Sequence, residues 1–191
     1  IDLSGLTGNS RVGIFSYQAA PIQINYLGFP GTMGAKFINY IIADEVVIPK
    51  ENQKYFSEKV IYLPYCYQAN MSQRDISPKK FERKDFGLPH DGFVFCSFNN
   101  NYKITPYIFD SWMRILKEVK NSVLWVLKSN EVAGQNLMQV AKERGVDENR
   151  IIFASFMSND EHLKRITLAD LFLDSFPYNA HTTASDAVRM G

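Results

Sequence analysis

Cysteine and histidine are both scarce in this sequence. The two cysteines, Cys66 and Cys96, lie far apart in apolar or aromatic surroundings. We therefore expect two buried free thiols in a reducing, cytoplasmic compartment. The three histidines, His90, His162 and His181, are scattered, and no Asp-x-Asp pair occurs. This scarcity excludes the common metal-ligand spacings and favours a site that works without a metal ion.

Excess charge of one sign and long apolar runs are also missing. Lys and Arg total 21 against 20 Asp and Glu, which gives a formal net charge of +1. This balance argues against nucleic acid as a partner, because domains that bind nucleic acid carry a basic surface. No stretch approaches the roughly 18 apolar residues of a membrane span, and no signal peptide is visible. Since 46% of the 191 residues are apolar, the chain is able to bury a core.

Apolar strand patterns alternate with amphipathic helix patterns along the chain. Strands are predicted at 22–27, 59–64, 93–98, 123–127, 151–153 and 171–173. Helices are predicted at about 37–42, at 78–86, from Pro106 behind a Thr105 cap, from 133 to a stop at Gly145, at 159–168 and from 182. This order predicts an α/β fold of parallel sheets with flanking helices.

The polar, charged segment 70–90 separates two αβ blocks. We therefore predict one domain over residues 1–74 and a second over residues 75–191. Residues 1–3 are typical of the middle of a strand, and Gly191 falls where a helix should end before a further strand. The chain is accordingly expected to be a piece of a longer protein.

Chemically functional side chains concentrate in loops that follow predicted strands. These loops are 28–34, 99–105, 155–162 and 176–183. Ligands of parallel sheets bind at the carboxyl ends of strands, so we expect the four loops to form one rim around a ligand.

The segment 179–186 predicts an anion site, because it joins a strand to the start of a helix. Helix N-termini offer unpaired N–H groups and partial positive charge, and the Thr182 and Thr183 hydroxyls add donors. Asp186, about one turn further on, is suited to accept from a sugar hydroxyl. A phosphate joined to a sugar fits this set. Other interpretations remain open: His181 as an ordinary turn residue or a general base, and Asp186 as a stabiliser of the first helical turn.

Three further features have both a functional and an ordinary interpretation. Lys103 would offset the charge on a departing diphosphate, or is a solvated lysine in an Asn-rich turn. His162 would stack on a base with Arg165 one turn on, or both are surface residues of a helix. The Gly-rich segment 28–35 lacks the P-loop and dinucleotide patterns, and is either a tight turn or a wall close to a small ligand.

Taken together, five separated segments resemble the protein O-GlcNAc transferase family, and in particular its bacterial SPINDLY-like members. The segments are LGFPGT (27–32), YIIAD (40–44), YFSEK (55–59), FNNNYKI (98–104) and NAHTT (179–183). The resemblance implies a GT-B fold, in which two Rossmann-like lobes face a cleft. Residues 1–74 would be the C-terminal part of the N-lobe, and residues 75–191 most of the nucleotide-sugar-binding C-lobe.

The resemblance implies roles on the phosphate side of the donor. Residues 181–183 match the segment that cradles the diphosphate, and Asp186 matches the carboxylate that holds the ribose. Lys103 matches the lysine on the diphosphate and is expected to be the catalytic residue that stabilises the leaving group. Asn100 stands where animal members carry Gln and is a second expected diphosphate contact.

On the base side, His162 matches the histidine that stacks on uracil, and Arg165 lies in the same turn. Met157 stands where a backbone group pairs with the base. Leu27 and Gly28 match the wall beside the transferred sugar.

The sequence also departs from the family pattern. Asn159 and Gly8 stand where animal members have lysines, although Asn159 keeps its place in the expected donor site. Proton acceptors and the tetratricopeptide repeats that hold the protein acceptor would precede Ile1, so the isolated chain is expected to be inactive.

The activity that the resemblance implies is metal-independent, inverting transfer of GlcNAc from UDP-GlcNAc to Ser or Thr of proteins, with no cofactor. Two alternatives remain. The first is fucose transfer from GDP-fucose, as in plant SPINDLY proteins, which His181 disfavours because those proteins lack a histidine before the paired threonines. The second is a nucleotide-binding module without turnover.

Overall fold

The computed structural model describes residues 1–191, which contain seven strands and four α-helices. The chain divides into two units, Ile1–Met71 and Ser72–Gly191. The assignment of residues 1–74 and 75–191 to two glycosyltransferase lobes stays a prediction. None of the helices has both the length and the apolar character needed to cross a bilayer.

The first unit contains a three-stranded parallel sheet. Its strands are β1 (Ile24–Asn25), β2 (Tyr40–Ala43) and β3 (Lys59–Tyr62), in that spatial order, and 3₁₀ helices lie at Val12–Tyr17 and Lys50–Tyr55. Ile41, Ala43 and Ile48 form its buried core.

The helix predicted at about 37–42 is wrong, because Tyr40–Ala43 is the central strand of this sheet. Ile41 and Ala43, two residues apart, are both buried, which is the period of a strand. The apolar residues around them also fit a helical spacing, and only pairing with β1 and β3 decides between the two.

The second unit contains a four-stranded parallel sheet in the order β6-β5-β4-β7. The strands are β4 (Phe93–Ser97), β5 (Ser122–Leu127), β6 (Ile151–Ala154) and β7 (Leu171–Phe172). The helices are α1 (Pro106–Glu118), α2 (Glu131–Glu143), α3 (Asn159–Ile166) and α4 (Thr182–Met190). Shorter 3₁₀ helices lie at Arg83–Phe86, Asn101–Lys103 and Glu148–Arg150.

Each face of this sheet has its own apolar core. Phe95 and Leu124 pack on one face with residues of α1 and α2, whereas Val94 and Trp125 pack on the other with Ile166 of α3. Because neighbouring strand residues point to opposite faces, a sheet buried on both faces needs continuous apolar strands. The unbroken burial of β5 follows from this requirement.

The predicted start of α1 behind Thr105 and the predicted helix stop at Gly145, after α2, are both confirmed. The Thr105 hydroxyl accepts from the Ile108 N–H at 3.4 Å with Pro106 in the first helical position, and Gly145 takes a positive φ of 71° just after α2. The helix predicted at 78–86 is shorter, since only Arg83–Phe86 is helical before Gly87.

Two other expectations need correction. Cys96 is buried as expected, and burial raises the pKa of its thiol to about 12, but Cys66 is exposed.

The loop 28–34 follows β1, a strand of the first sheet, so it does not belong to the same sheet edge as the other three loops.

Candidate functional site

The carboxyl edge of the second sheet brings together loops from four parallel strands. The first two of these loops are joined by Asn101. Its Nδ2 donates to the Leu127 carbonyl at 2.9 Å, and its Oδ1 accepts from the Ser129 N–H at 3.0 Å. The loop that carries Lys103 is therefore fixed against the end of β5.

Asp174 organises the turn between β7 and α4. Its carboxylate accepts from the Ser175 and Ala180 N–H groups, each at 2.7 Å, and from Asn179 Nδ2 at 3.1 Å. Asn99 Nδ2 reaches the same turn, donating to Ser175 Oγ at 3.0 Å. Sequence reasoning missed Asp174, although an acid directly after a parallel strand was an available signal.

Lys103 lies against this turn. Its Nζ donates to the Asn179 carbonyl at 3.1 Å and lies 4.0 Å from the centre of the Tyr178 ring. Burial lowers the pKa of Lys103, and the nearby Asp174 carboxylate works in the opposite direction. The structure therefore contradicts the interpretation of Lys103 as a solvated lysine. Its amine is hydrogen-bonded to the carbonyl of Asn179, which lies two residues before His181.

His181 is the residue that precedes α4, and Thr182 and Thr183 form the first positions of the helix. The His181 ring meets Tyr178 edge-on, with centroids 6.1 Å apart. Its pKa is lowered, first by burial and then by the positive charge of Lys103. The predicted diphosphate segment and the predicted catalytic lysine thus lie beside each other at the start of one helix.

A second group of predicted residues lies on α3. Arg165 is only 2% exposed, so it is not a surface residue. Its Nε donates to His162 Nδ1 at 3.0 Å, its Nη1 donates to the Ser155 carbonyl, and its guanidinium carbon lies 5.0 Å from the Phe98 ring centre. Burial lowers the pKa of Arg165 to about 10.

These contacts hold His162 as a neutral ring. Burial, and then the charge of Arg165, lower the pKa of His162 to about 4. Because Nδ1 accepts the Arg165 hydrogen bond, we assign the proton of the neutral ring to Nε2. The ring meets Phe98 edge-on at 5.2 Å, which leaves a fixed, uncharged aromatic plane of the kind that stacks on a nucleobase.

We expect the pKa of His162 to make stability depend on pH. As the pH falls from 6.5 towards 4, the unfolded chain takes up a proton at this residue while the folded chain does not, so the free energy of unfolding decreases. Because the ring keeps some solvent contact, the loss should be about 1–2 kcal/mol. His162→Gln should remove it in denaturant unfolding across this pH range, and His90→Gln, at an exposed histidine, should not. Parallel curves for wild type and His162→Gln would contradict the assignment.

Asp186 and Asn159 lie on the same side of the second unit. Asp186 is 5% exposed and forms an ion pair with Arg74, whose Nη2 also donates to Asn159 Oδ1 at 2.8 Å. Arg74 was missed by sequence reasoning, because its partners are more than eighty residues away and no local pattern marks it. The ribose role of Asp186 stays a prediction.

Asn100 and Met157 are two further predicted contacts of the donor nucleotide in the second unit. The Asn100 side chain is exposed, and its carbonyl accepts from the Lys103 N–H at 3.0 Å. Met157 is partly buried in the loop after β6. Both residues stay predicted donor contacts.

Leu27 and Gly28 belong to the first unit. Leu27 has a positive φ of 74°, and a Cβ on Gly28 would collide with the Ser4 backbone. Glycine is therefore required at this position by packing alone. The predicted role of the two residues beside the transferred sugar stays a prediction.

The second unit thus assembles two groups of side chains, linked by α4. Lys103, Tyr178 and His181 surround the start of α4, whereas His162, Arg165 and Asp186 lie along α3 and α4. Across residues 1–191, no three or more His, Cys, Asp or Glu side chains come together in a metal-binding arrangement. Independence from metal stays a prediction.

A cation and a helix N-terminus at the edge of a Rossmann-like sheet suit a phosphorylated ligand, and comparison with known proteins gives the family. Residues 1–73 and 70–191 match the family model described as glycosyl transferase family 41. The chain belongs to glycosyl transferase family 41. The resemblance to O-GlcNAc transferases drawn from the five sequence segments is confirmed.

Two plant relatives show what share of a longer protein the chain matches. The chain is 41% identical over 196 residues to the probable UDP-N-acetylglucosamine–peptide N-acetylglucosaminyltransferase SEC of Arabidopsis thaliana. It is 32% identical over 199 residues to the SPINDLY protein of the same descriptive name from Eustoma exaltatum subsp. russellianum. Each match covers 100% of this chain but only 20% and 21% of the relatives, respectively. The chain therefore spans about one fifth of the length of these curated relatives.

Among solved structures, the present chain is similar to a mutant of the Thermobaculum terrenum O-GlcNAc transferase. The TM-score is 0.80 at 24% sequence identity, and the match covers 95% of this chain and 34% of that chain. This likeness establishes the fold, which is of the GT-B type with parallel sheets and flanking helices.

Proposed function

We propose that the complete protein is an inverting glycosyltransferase that moves GlcNAc from UDP-GlcNAc to Ser or Thr hydroxyls of proteins, without a metal ion. The observation that carries this proposal is the position of Lys103, whose Nζ is bonded to the turn that leads directly into α4. A cation and the N-terminus of a helix meet at one point, which is the arrangement that a departing diphosphate requires.

The first N–H groups of α4, with the Thr182 and Thr183 hydroxyls, would donate to the diphosphate. Lys103 would offset the negative charge that grows on the β-phosphate oxygen as the bond to the sugar breaks, and Asn100 would add a donor. This charge stabilisation takes the place of a divalent cation.

The other end of the nucleotide would lie on α3. The neutral His162 ring would stack on uracil, a Met157 backbone group would pair with the base, and Asp186 would accept from the ribose. Both plant relatives are named as probable UDP-N-acetylglucosamine–peptide N-acetylglucosaminyltransferases, which supports GlcNAc as the sugar.

In the reaction, the acceptor oxygen attacks the anomeric carbon from the face opposite UDP. The bond between that carbon and the β-phosphate oxygen breaks, and its electron pair leaves with UDP. The hydroxyl proton passes to a group outside this chain or to a donor phosphate oxygen. Backside attack inverts the configuration at the anomeric carbon.

The test is donor turnover by the complete protein in the presence of EDTA. We expect UDP to raise the melting temperature, and UDP-GlcNAc to be hydrolysed or transferred at a rate that EDTA leaves unchanged. GDP-fucose should be a much poorer donor.

Three results would contradict this proposal. Loss of turnover in EDTA would show that a metal is needed, and preference for GDP-fucose would change the sugar and the base. UDP binding without sugar release, with every plausible acceptor tried, would indicate a binding module.

A further inference from the structure

Arg74 connects the two helices that carry the second group of site residues. It belongs to the segment 72–79, which precedes the first strand of the second unit. Nη1 forms an ion pair with Asp186 of α4, and Nη2 donates to Asn159 Oδ1, on the first residue of α3, at 2.8 Å. The guanidinium thus lies at the junction of α3 and α4.

Both ends of this segment are fastened to the same two helices. Upstream, Arg189 Nη2 of α4 donates to the Ser72 carbonyl at 3.0 Å. Downstream, the Ser77 N–H donates to the Asp160 carbonyl at 3.2 Å, and Lys79 forms an ion pair with Glu161. Arg74 therefore approaches Asp186 from a backbone that is held on both sides.

The pair is largely shielded from solvent. The Arg74 side chain is 15% exposed and that of Asp186 is 6% exposed. A carboxylate at this depth is costly unless a donor or cation meets it, and a guanidinium fixes its orientation because its donors form a rigid planar fork. The Asp186 carboxylate raises the pKa of His162, and the Arg74 guanidinium lowers it.

We propose that Arg74 is a positioning residue of the nucleotide site, holding the Asp186 carboxylate in the orientation in which it accepts a ribose hydroxyl of a nucleoside diphosphate. This inference rests on the function proposed above. It adds the first residues of the second unit to the donor site, and it makes ribose recognition depend on a residue outside the sheet-edge loops.

The test compares two nucleotides that differ only in the ribose. Calorimetric titration of the complete protein with UDP and with 2′,3′-dideoxy-UDP isolates the contribution of the ribose hydroxyls. Arg74→Ala should raise the Kd for UDP about tenfold or more, and should change the Kd for the dideoxy analogue by no more than about twofold. Lys80→Ala, at an exposed lysine just beyond the segment, should leave both Kd values unchanged.

Two further variants keep the test decisive if Arg74→Ala folds poorly. Arg74→Lys retains the charge and should recover part of the UDP affinity. Asn159 adjoins the guanidinium, so a lysine at that position reaches the space that the Arg74→Ala substitution leaves. Adding Asn159→Lys to Arg74→Ala should therefore restore the Kd for UDP to within about threefold of wild type.

Several outcomes would overturn the inference. Equal losses for UDP and the dideoxy analogue would show that Arg74 only supports the fold. Unchanged UDP binding in Arg74→Ala, or no rescue by either lysine, would show that Asp186 does not depend on the cation. If wild type binds both nucleotides equally, Asp186 does not contact the ribose. If wild type does not bind UDP at all, the proposed function itself fails, so the two failures are distinguishable.

Discussion

Replacing Lys103 by alanine in the complete protein is expected to lower kcat for UDP release by about 10²–10³-fold, the range measured when one preorganised donor is removed from a site of developing charge. The reason is geometric. The amine is anchored on the Asn179 carbonyl at 3.1 Å and over the Tyr178 ring at 4.0 Å, so it is already in place when charge develops at the start of α4.

The measurement is steady-state release of UDP from UDP-GlcNAc, with kcat and KM determined separately. Lys128→Ala is a matched control, because Lys128 follows β5 at the same sheet edge but is paired with Glu131. A fall in kcat for Lys103→Ala with an unchanged melting temperature is the expected result. Equal kcat for the two variants would remove Lys103 from the mechanism.

The second large effect is expected at Arg165. Arg165→Ala should lower the free energy of unfolding by about 3 kcal/mol, since it leaves the Ser155 carbonyl and His162 Nδ1 without a buried donor and opens a cavity beside Phe98. The same change frees the His162 ring, so UDP should also bind more weakly.

Urea unfolding of the complete protein measures the loss in the free energy of unfolding. Hydrogen exchange in peptides from β6 and α3 shows whether this loss is local. Lys164→Ala is the control on the same helix, because its neighbour Arg165 is buried and Lys164 is not. Arg165→Lys should recover little, because one ammonium does not match the planar fork that reaches both partners. A loss below about 0.5 kcal/mol, the usual effect of surface substitutions, would contradict this account.

Much of the second unit could be predicted from local patterns. The Thr105-Pro106 start, the stop at Gly145 and the continuous apolar strands each depend on interactions within a few residues, so they are visible in the sequence. The sheet of the first unit was harder to predict. Residues 37–42 satisfy a helix period and a strand period at once, and pairing with strands that lie far away in the sequence decides the outcome.

The candidate site divides in the same way. His162, Arg165, His181 and Lys103 could be named as candidates because each lies in a loop after a predicted strand or in the first turns of a predicted helix, and because they match positions of the O-GlcNAc transferase family. Their roles stay predictions. Asp174 was missed although it follows the predicted strand 171–173. Arg74 could not be identified from the sequence, because only folding brings its partners Asp186 and Asn159 to it. The exposure of Cys66 is another tertiary property, since its aromatic neighbours in sequence do not cover it.

The alternation of strands and helices, the family and the residue types at the carboxyl edge follow from the amino-acid sequence, because periodicity, caps and short motifs are local. The central strand of the first sheet, the burial of Arg165 with the low pKa of His162, and the ion pair of Arg74 with Asp186 follow from long-range contacts in the folded chain. Burial and charge pairing depend on contacts between residues far apart in sequence, 112 positions for Arg74 and Asp186, which no local pattern specifies.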